Sequence, residues 1–534
     1  MFIIFPLLLI FSVLSINTIS KKRIPHFFAF LVIFVTYTIL TSMAASMHVS
    51  GIYSISVLLI LFIVPIPFGI QRVIIEKKYK EWGKKILFII PVTIIISLFF
   101  MLRPTNIWVG PDYRMYLPLV NSVSGKTNAG MDVNYSMYSK LSIYQFLGVY
   151  KWMSMVNVPV FVDCLVPIII ATLLSILILD FKRFRLFMIL GVLTIFYINR
   201  LSNYLLYGSI FWGPLFMGAA ILYCLKGEKM ASSFAMVAAM YSATYTGIGV
   251  LTFTPLFIIF SVLREKTISL KSNLVYIATW ILAIVISIVI AKSLNTYFMD
   301  IGLFLFALSI IGVLILKGDF SIKIDKYVEK VAIKTEKQIL IAKIVMTIIM
   351  ISIAFSYILI YNNVDNYYLG GGNIFYIFKT DKINLWTFVT TTAILNLIII
   401  WTSNKILTPL LLISFVFVCF SGILFLSFVK ITPSYVYVRL LKSGVTTASW
   451  ITPMIIGFVL QTNKKIAESK KIYIYTEIIF DFILLSVLIC FMISFQPTLA
   501  EIGKWHEGLS QAQKEYLSGK IYDDHIREKL KINE

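Results

Sequence analysis

The chain has 534 residues, of which 59% are hydrophobic and only 13% charged, with a mean hydropathy of +0.90. A soluble globular domain is closer to half apolar and a quarter charged, so this composition excludes one and implies a polytopic membrane protein. The net charge of +22 does not imply nucleic acid, because Lys and Arg fall in short clusters between apolar runs, where topology signals belong.

Hydropathy predicts about sixteen spans, all helical. The first run, 2-FIIFPLLLIFSVLSI-16, lacks a basic segment before it and a small-residue cleavage site after it, and reads as a retained span. Further spans are expected near 26–46, 52–71, 86–102, 159–180, 186–198, 205–225, 231–246, 248–263, 274–292, 299–316, 342–361, 386–402, 407–429, 446–461 and 472–495. Most of the 47 basic residues lie in alternate connections, including 21-KKR-23, 72-RVIIEKKYKEWGKK-85, 182-KRFR-185, 264-REKTISLK-271 and 464-KKIAESKK-471. Short basic connections stay cytoplasmic, which sends the N-terminus and the tail 496–534 to the outside. The expected divisions are N-terminal helices (1–85), a core (86–260) holding an extracytoplasmic loop at 103–158, C-terminal helices (261–495) and the tail.

That loop is the longest outer connection, and a loop of such length in a compact protein is usually functional. It opens on 109-VGPDYRMYLPLV-120, setting Asp112, Tyr113, Arg114 and Tyr116 just beyond an apolar span. A carboxylate at the rim of a water-filled cavity suits a general base toward an acceptor hydroxyl; the plainer alternative is a solvated acid paired with Arg114. Further along, 141-LSIYQFLGVYKWMSM-155 repeats rings at helical spacing and predicts an interfacial helix with its rings at headgroup depth.

Outer cations run against the topology trend. Lys430, Arg439 and Lys442 in 430-KITPSYVYVRLLKSG-444 suit a phosphate at the membrane surface, as does Arg200 in 197-YINRLSNYLLY-207. Snorkelling to lipid headgroups explains the same residues equally well. Glu477 and Asp481 are four apart in the last span and share a helix face, for a structural role or a proton relay. Cys164, Cys224, Cys419 and Cys490 read as apolar filler, and His26, His48, His506 and His525 show no metal-ligand spacing.

The order of these pieces resembles the GT-C superfamily of membrane glycosyltransferases. The resemblance rests on Asp112, Tyr116, the following 117-LPLVNSVSGK-126, the helix at 141–155 and the closing span 157-NVPVFVDCLVPIIIATLLSILIL-179. It covers roughly residues 86–260 in any detail. Two departures accompany it: Tyr113 and Arg114 stand where the family often has a second acid, and three spans precede the loop's own.

The resemblance implies transfer of a sugar from a polyprenyl-phosphate donor to a cell-surface glycan or glycolipid, at the outer face of a bacterial plasma membrane. Asp112 would serve the acceptor, and Arg439, with Lys442, would hold the donor phosphate, beside Arg114, Tyr116 and Arg200. No cofactor is implied, although a divalent ion at Asp112 would suit a pyrophosphate donor. The expected partners are the lipid-linked donor, the acceptor and the membrane. A polysaccharide polymerase, or a flippase or transporter of lipid-linked oligosaccharides, is the alternative.

Overall fold

Every apolar run whose structure is described is helical. The computed structural model describes residues 3–20, 24–46, 51–101, 120, 142–156, 160–198, 211–242, 254, 256–261, 270–294, 336–363, 393, 396–403, 453–463, 466 and 468–494, with no strand among them. Backbone groups in hydrocarbon must be satisfied within the segment itself, and the helix is the local way to do so. Among the described residues three helical stretches are long and apolar enough to cross a membrane: Ile52–Ile75, Tyr79–Met101 and Lys471–Cys490.

The first helices are α1 (Ile4–Ile19), α2 (His26–Ser46), α3 (Gly51–Ile63), α4 (Pro65–Ile75) and α5 (Tyr79–Met101). Hydropathy predicts one span over 52–71, but the stretch is divided at Val64, where Pro65 occupies the first turn of α4. Proline is tolerated there because that N–H has no helical partner. α5 begins well before the apolar run expected at 86, since Lys and Glu are good helix formers and Glu81 pairs with Lys85 one turn on, at 2.8 Å.

Then come α6 (Ser142–Ser154), a π-helical turn (Phe161–Leu165), α7 (Val166–Leu179), α8 (Arg185–Ile198), α9 (Gly213–Lys226) and α10 (Lys229–Ser242). α11 (Leu270–Leu294), α12 (Glu336–Asn363) and α13 (Lys470–Ser494) complete the long helices. Two compact units emerge, one holding the described residues up to Arg185 and from Ile483, the other those from Leu186 to Phe482.

In the first unit α5 lies along α7, where Thr93 and Ser175 share a 3.2 Å hydrogen bond, and α1 lies along α4. A Cβ added at Gly69 of α4 would stand 2.6 Å from the Ser15 Cα of α1, so these two backbones approach as closely as a glycine permits. One end of this unit is tied by polar contacts. The Trp82 indole N–H donates to Thr18 Oγ1 at 2.9 Å, and Arg72 donates to the Ile19 carbonyl at 2.6 Å.

Asp180, just past α7, caps α2 from a distant part of the chain. Its Oδ1 accepts from the backbone N–H of His26 at 2.7 Å and from the ring Nδ1 at 2.8 Å, and Oδ2 accepts from Phe27 N–H at 3.2 Å. A carboxylate there meets both the unpaired amides and the positive end of the helix. Arg185 donates to the Leu179 carbonyl, the matching arrangement of a cation at a helix C-terminus.

In the second unit α9 and α10 form a hairpin turned at Gly227, whose φ of 83° closes a Schellman motif through Glu228 N–H to the Tyr223 carbonyl. Ser232 Oγ then donates to the Ala220 carbonyl at 2.8 Å, locking the pair.

Candidate functional site

Asp112, Arg114, Tyr116, Arg200, Arg439 and Lys442 all lie outside the described residues. What is described is the frame of the segment that carries Asp112: α5, which precedes it, and α6, the π-helical turn and α7, which follow it.

α6 forms where the ring spacing predicts a helix, but it does not lie on a surface. Ile143, Phe146, Leu147, Val149 and Tyr150 are fully or almost fully buried, and so are Gln145 and Lys151 on the face expected to be polar. Only Trp152 and Met155, at its end, are well exposed. Instead of lying along a surface, α6 is packed within the protein. The reason is a set of rings that a linear pattern does not reveal. Phe146 meets Phe5 of α1 at 5.5 Å between centroids, Phe34 and Phe30 of α2 at 5.7 and 6.3 Å, and Tyr37 of α2 at 6.4 Å. Tyr150 stacks on Phe5 at 4.6 Å. Tilted and edge-on pairs at these spacings each stabilise by about 0.5–1.5 kcal/mol beyond their area.

Burial sets the electrostatics of α6. It pushes the Lys151 ammonium below the ordinary lysine range and the Tyr150 phenol above the ordinary tyrosine range. Beside α6, the hydroxyls of Tyr37 on α2 and Ser54 on α3 are buried and face each other, and the buried Thr38 hydroxyl on α2 makes no hydrogen bond among the described residues. An unpaired buried group of this kind is rare in folded proteins.

Glu477 and Asp481 lie on the face of α13 that is turned from its exposed stripe of Ile474, Ile478, Phe482 and Leu485, as their spacing predicts. Among the described residues no group of His, Cys, Asp and Glu has metal-ligand geometry, and Cys164, Cys224 and Cys490 form no disulfide. Sequence reasoning missed the His26–Asp180 contact. An acid directly at the end of an apolar run was its only local signal.

The chain is thus helical over its described residues, with three helical stretches among them long and apolar enough to cross a membrane. No protein-family model matches it, and no curated protein and no solved structure matches it either.

Proposed function

We propose that this protein is an integral membrane glycosyltransferase of GT-C type, moving a sugar from a polyprenyl-phosphate donor to a surface glycan or glycolipid. Asp112 orients and deprotonates the acceptor hydroxyl, so that the oxygen attacks the anomeric carbon as the donor phosphate departs. Arg439, with Lys442, holds that phosphate, while Arg114, Tyr116 and Arg200 line the approach. The protein sits in a bacterial plasma membrane with about sixteen spans, its 103–158 loop and its tail outside.

The observation that carries this reading is the burial of α6. The loop beginning near Asp112 ends in a helix fixed among α1, α2 and α3, so a catalytic group borne by that loop has a rigid foundation. The polar ties at one end of the first unit also support the threading, because they join the chain near residues 18–26, 72–82 and 180. Alternate connections meet in this way when successive spans cross in opposite directions.

Asp112→Asn tests the reading. Loss of a general base costs on the order of 10²–10⁴-fold in rate, so the variant should insert at normal levels and transfer almost no sugar when cell-surface glycans are examined by mass spectrometry. Wild-type glycans in that variant would refute the assignment. Should Glu477→Gln instead abolish the phenotype, with Asp112→Asn silent, the inward-facing acids of α13 would point to a transporter.

A further inference from the structure

We propose that the turn joining α4 to α5 is a binding site for anionic phospholipid headgroups, built by Lys77, Lys80 and Lys84. This goes beyond the transferase reading and does not depend on it.

The argument starts from the face of α5 that the protein leaves uncovered. Leu87, Ile94, Ile95 and Leu98 are 74%, 51%, 46% and 55% exposed, and Pro91 is exposed between them. At about 100° per residue these positions fall on one stripe. The opposite stripe, Ile89, Val92, Thr93, Ile96 and Phe100, is buried. An apolar stripe left open on a helix long enough to cross a membrane is covered by acyl chains. Lys80 and Lys84 continue that same stripe toward the turn, and both are exposed. Their ammonium groups therefore project along the lipid-facing surface to headgroup depth, not over the centre of the bundle.

The acids of this turn are already committed elsewhere. Glu76 is held by Lys78 and Arg72, which keep its carboxyl below the usual range, and Glu81 pairs with Lys85. Lys77, Lys80 and Lys84 make no ion pair among the described residues. Three cations beside an open apolar stripe, with the local carboxylates occupied, fit a phosphate diester whose own chains occupy the stripe.

The backbone of the turn fixes where Lys77 stands. Lys77 closes the end of α4 with a φ of 52°, donating to the Ile74 carbonyl while Lys78 donates to the Val73 carbonyl. That is the motif Gly227 closes at the end of α9. Glycine adopts this conformation at no steric cost, whereas any side chain opposes it.

The test uses the full chain reconstituted in nanodiscs of equimolar phosphatidylcholine and phosphatidylglycerol, with native mass spectrometry reading the lipids retained on release. Wild type should keep phosphatidylglycerol in preference, and the preference should fall as salt is raised, a measurement that needs no variant. K80Q/K84Q should weaken the first phosphatidylglycerol roughly thirtyfold, at about fivefold per lysine. K80R/K84R should retain it, and K471Q, at an exposed lysine beside another apolar helix, should leave it unchanged. No preference in wild type, or an equal loss in K471Q, would overturn the site in favour of a diffuse basic belt. Sugar transfer is not read, so failure of the transferase reading would leave this result standing.

Discussion

Replacing Phe146 by Ala should detach α6 without unfolding the helices around it. The ring is fully buried and meets four others, Phe5, Phe30, Phe34 and Tyr37. Four ring pairs at about 0.5–1.5 kcal/mol each bound the loss between about 2 and 6 kcal/mol. Core Phe→Ala replacements in water-soluble proteins cost about 3–5 kcal/mol. Lipid removes part of the hydrophobic contribution but not the lost packing, so about 3 kcal/mol is the working value. That corresponds to roughly a hundredfold faster opening of α6. Amide hydrogen exchange over residues 142–154 reads it directly. Phe5→Ala should produce much of the same effect, and the double variant should lose less than the sum of the two, because both remove one contact. Met155→Ala, exposed just past α6, should leave exchange unchanged. Unaltered protection of 142–154 in Phe146→Ala would refute the seating of α6.

The remaining expectations concern packing and charge. Gly69→Ala should be severely destabilising, since its Cβ meets the backbone of α1, while Gly457→Ala should be mild because it meets the far end of the flexible Met188 side chain; the two melting temperatures in detergent separate them. Asp180→Asn should cost about 1–2 kcal/mol by removing a charge-assisted cap that two amides and the His26 ring share, visible as a lower melting temperature and faster exchange at the start of α2. Burial lowers Lys151, so the folded state binds fewer protons than the unfolded chain between the folded pKa and the ordinary lysine value. Stability should therefore rise with pH across that window, and Lys151→Met should flatten the rise in denaturation followed against pH.

The helices were largely legible because each apolar run leaves the backbone no other way to satisfy itself. Their ends were less so. Hydropathy sees Lys80, Glu81, Lys84 and Lys85 as a break, although all four are good helix formers and α5 runs through them. The burial of α6 was not legible, because alternating rings and polar residues describe an amphiphilic helix without saying what covers its polar face. Gln145 and Lys151 are buried on a helix that packs against α1, α2 and α3, far away in the chain, and nothing near residue 145 reports that. The contact between His26 and Asp180 fails to register for the same reason: the two are 154 residues apart, and each alone resembles an ordinary helix-end residue. Facing on α13 was the opposite case, because the i, i+4 spacing of Glu477 and Asp481 fixes a shared side whatever the surroundings.

The helices before the loop now have a physical reason to be present. α1 has 16 residues, which rise about 24 Å, short of a hydrocarbon layer of about 30 Å. α6 meets α1 at Phe5, one residue inside its N-terminal end, and meets α2 at Tyr37, nine residues before Ser46. The rise between those two positions is about 13 Å. α6 thus packs at the depth of the N-terminal end of α1, against α2 and α3. A helix carrying Gln145, Lys151 and Ser154 would be costly against acyl chains at that depth. Here all three are buried in protein, the condition under which a polar, non-spanning helix is tolerated there. Without α1, α2 and α3 the rings of α6 would have no partners and its polar side chains no cover, so those helices form the seat of the loop. Deleting them should cost the order of the 142–154 segment before it costs the insertion of the spans that follow.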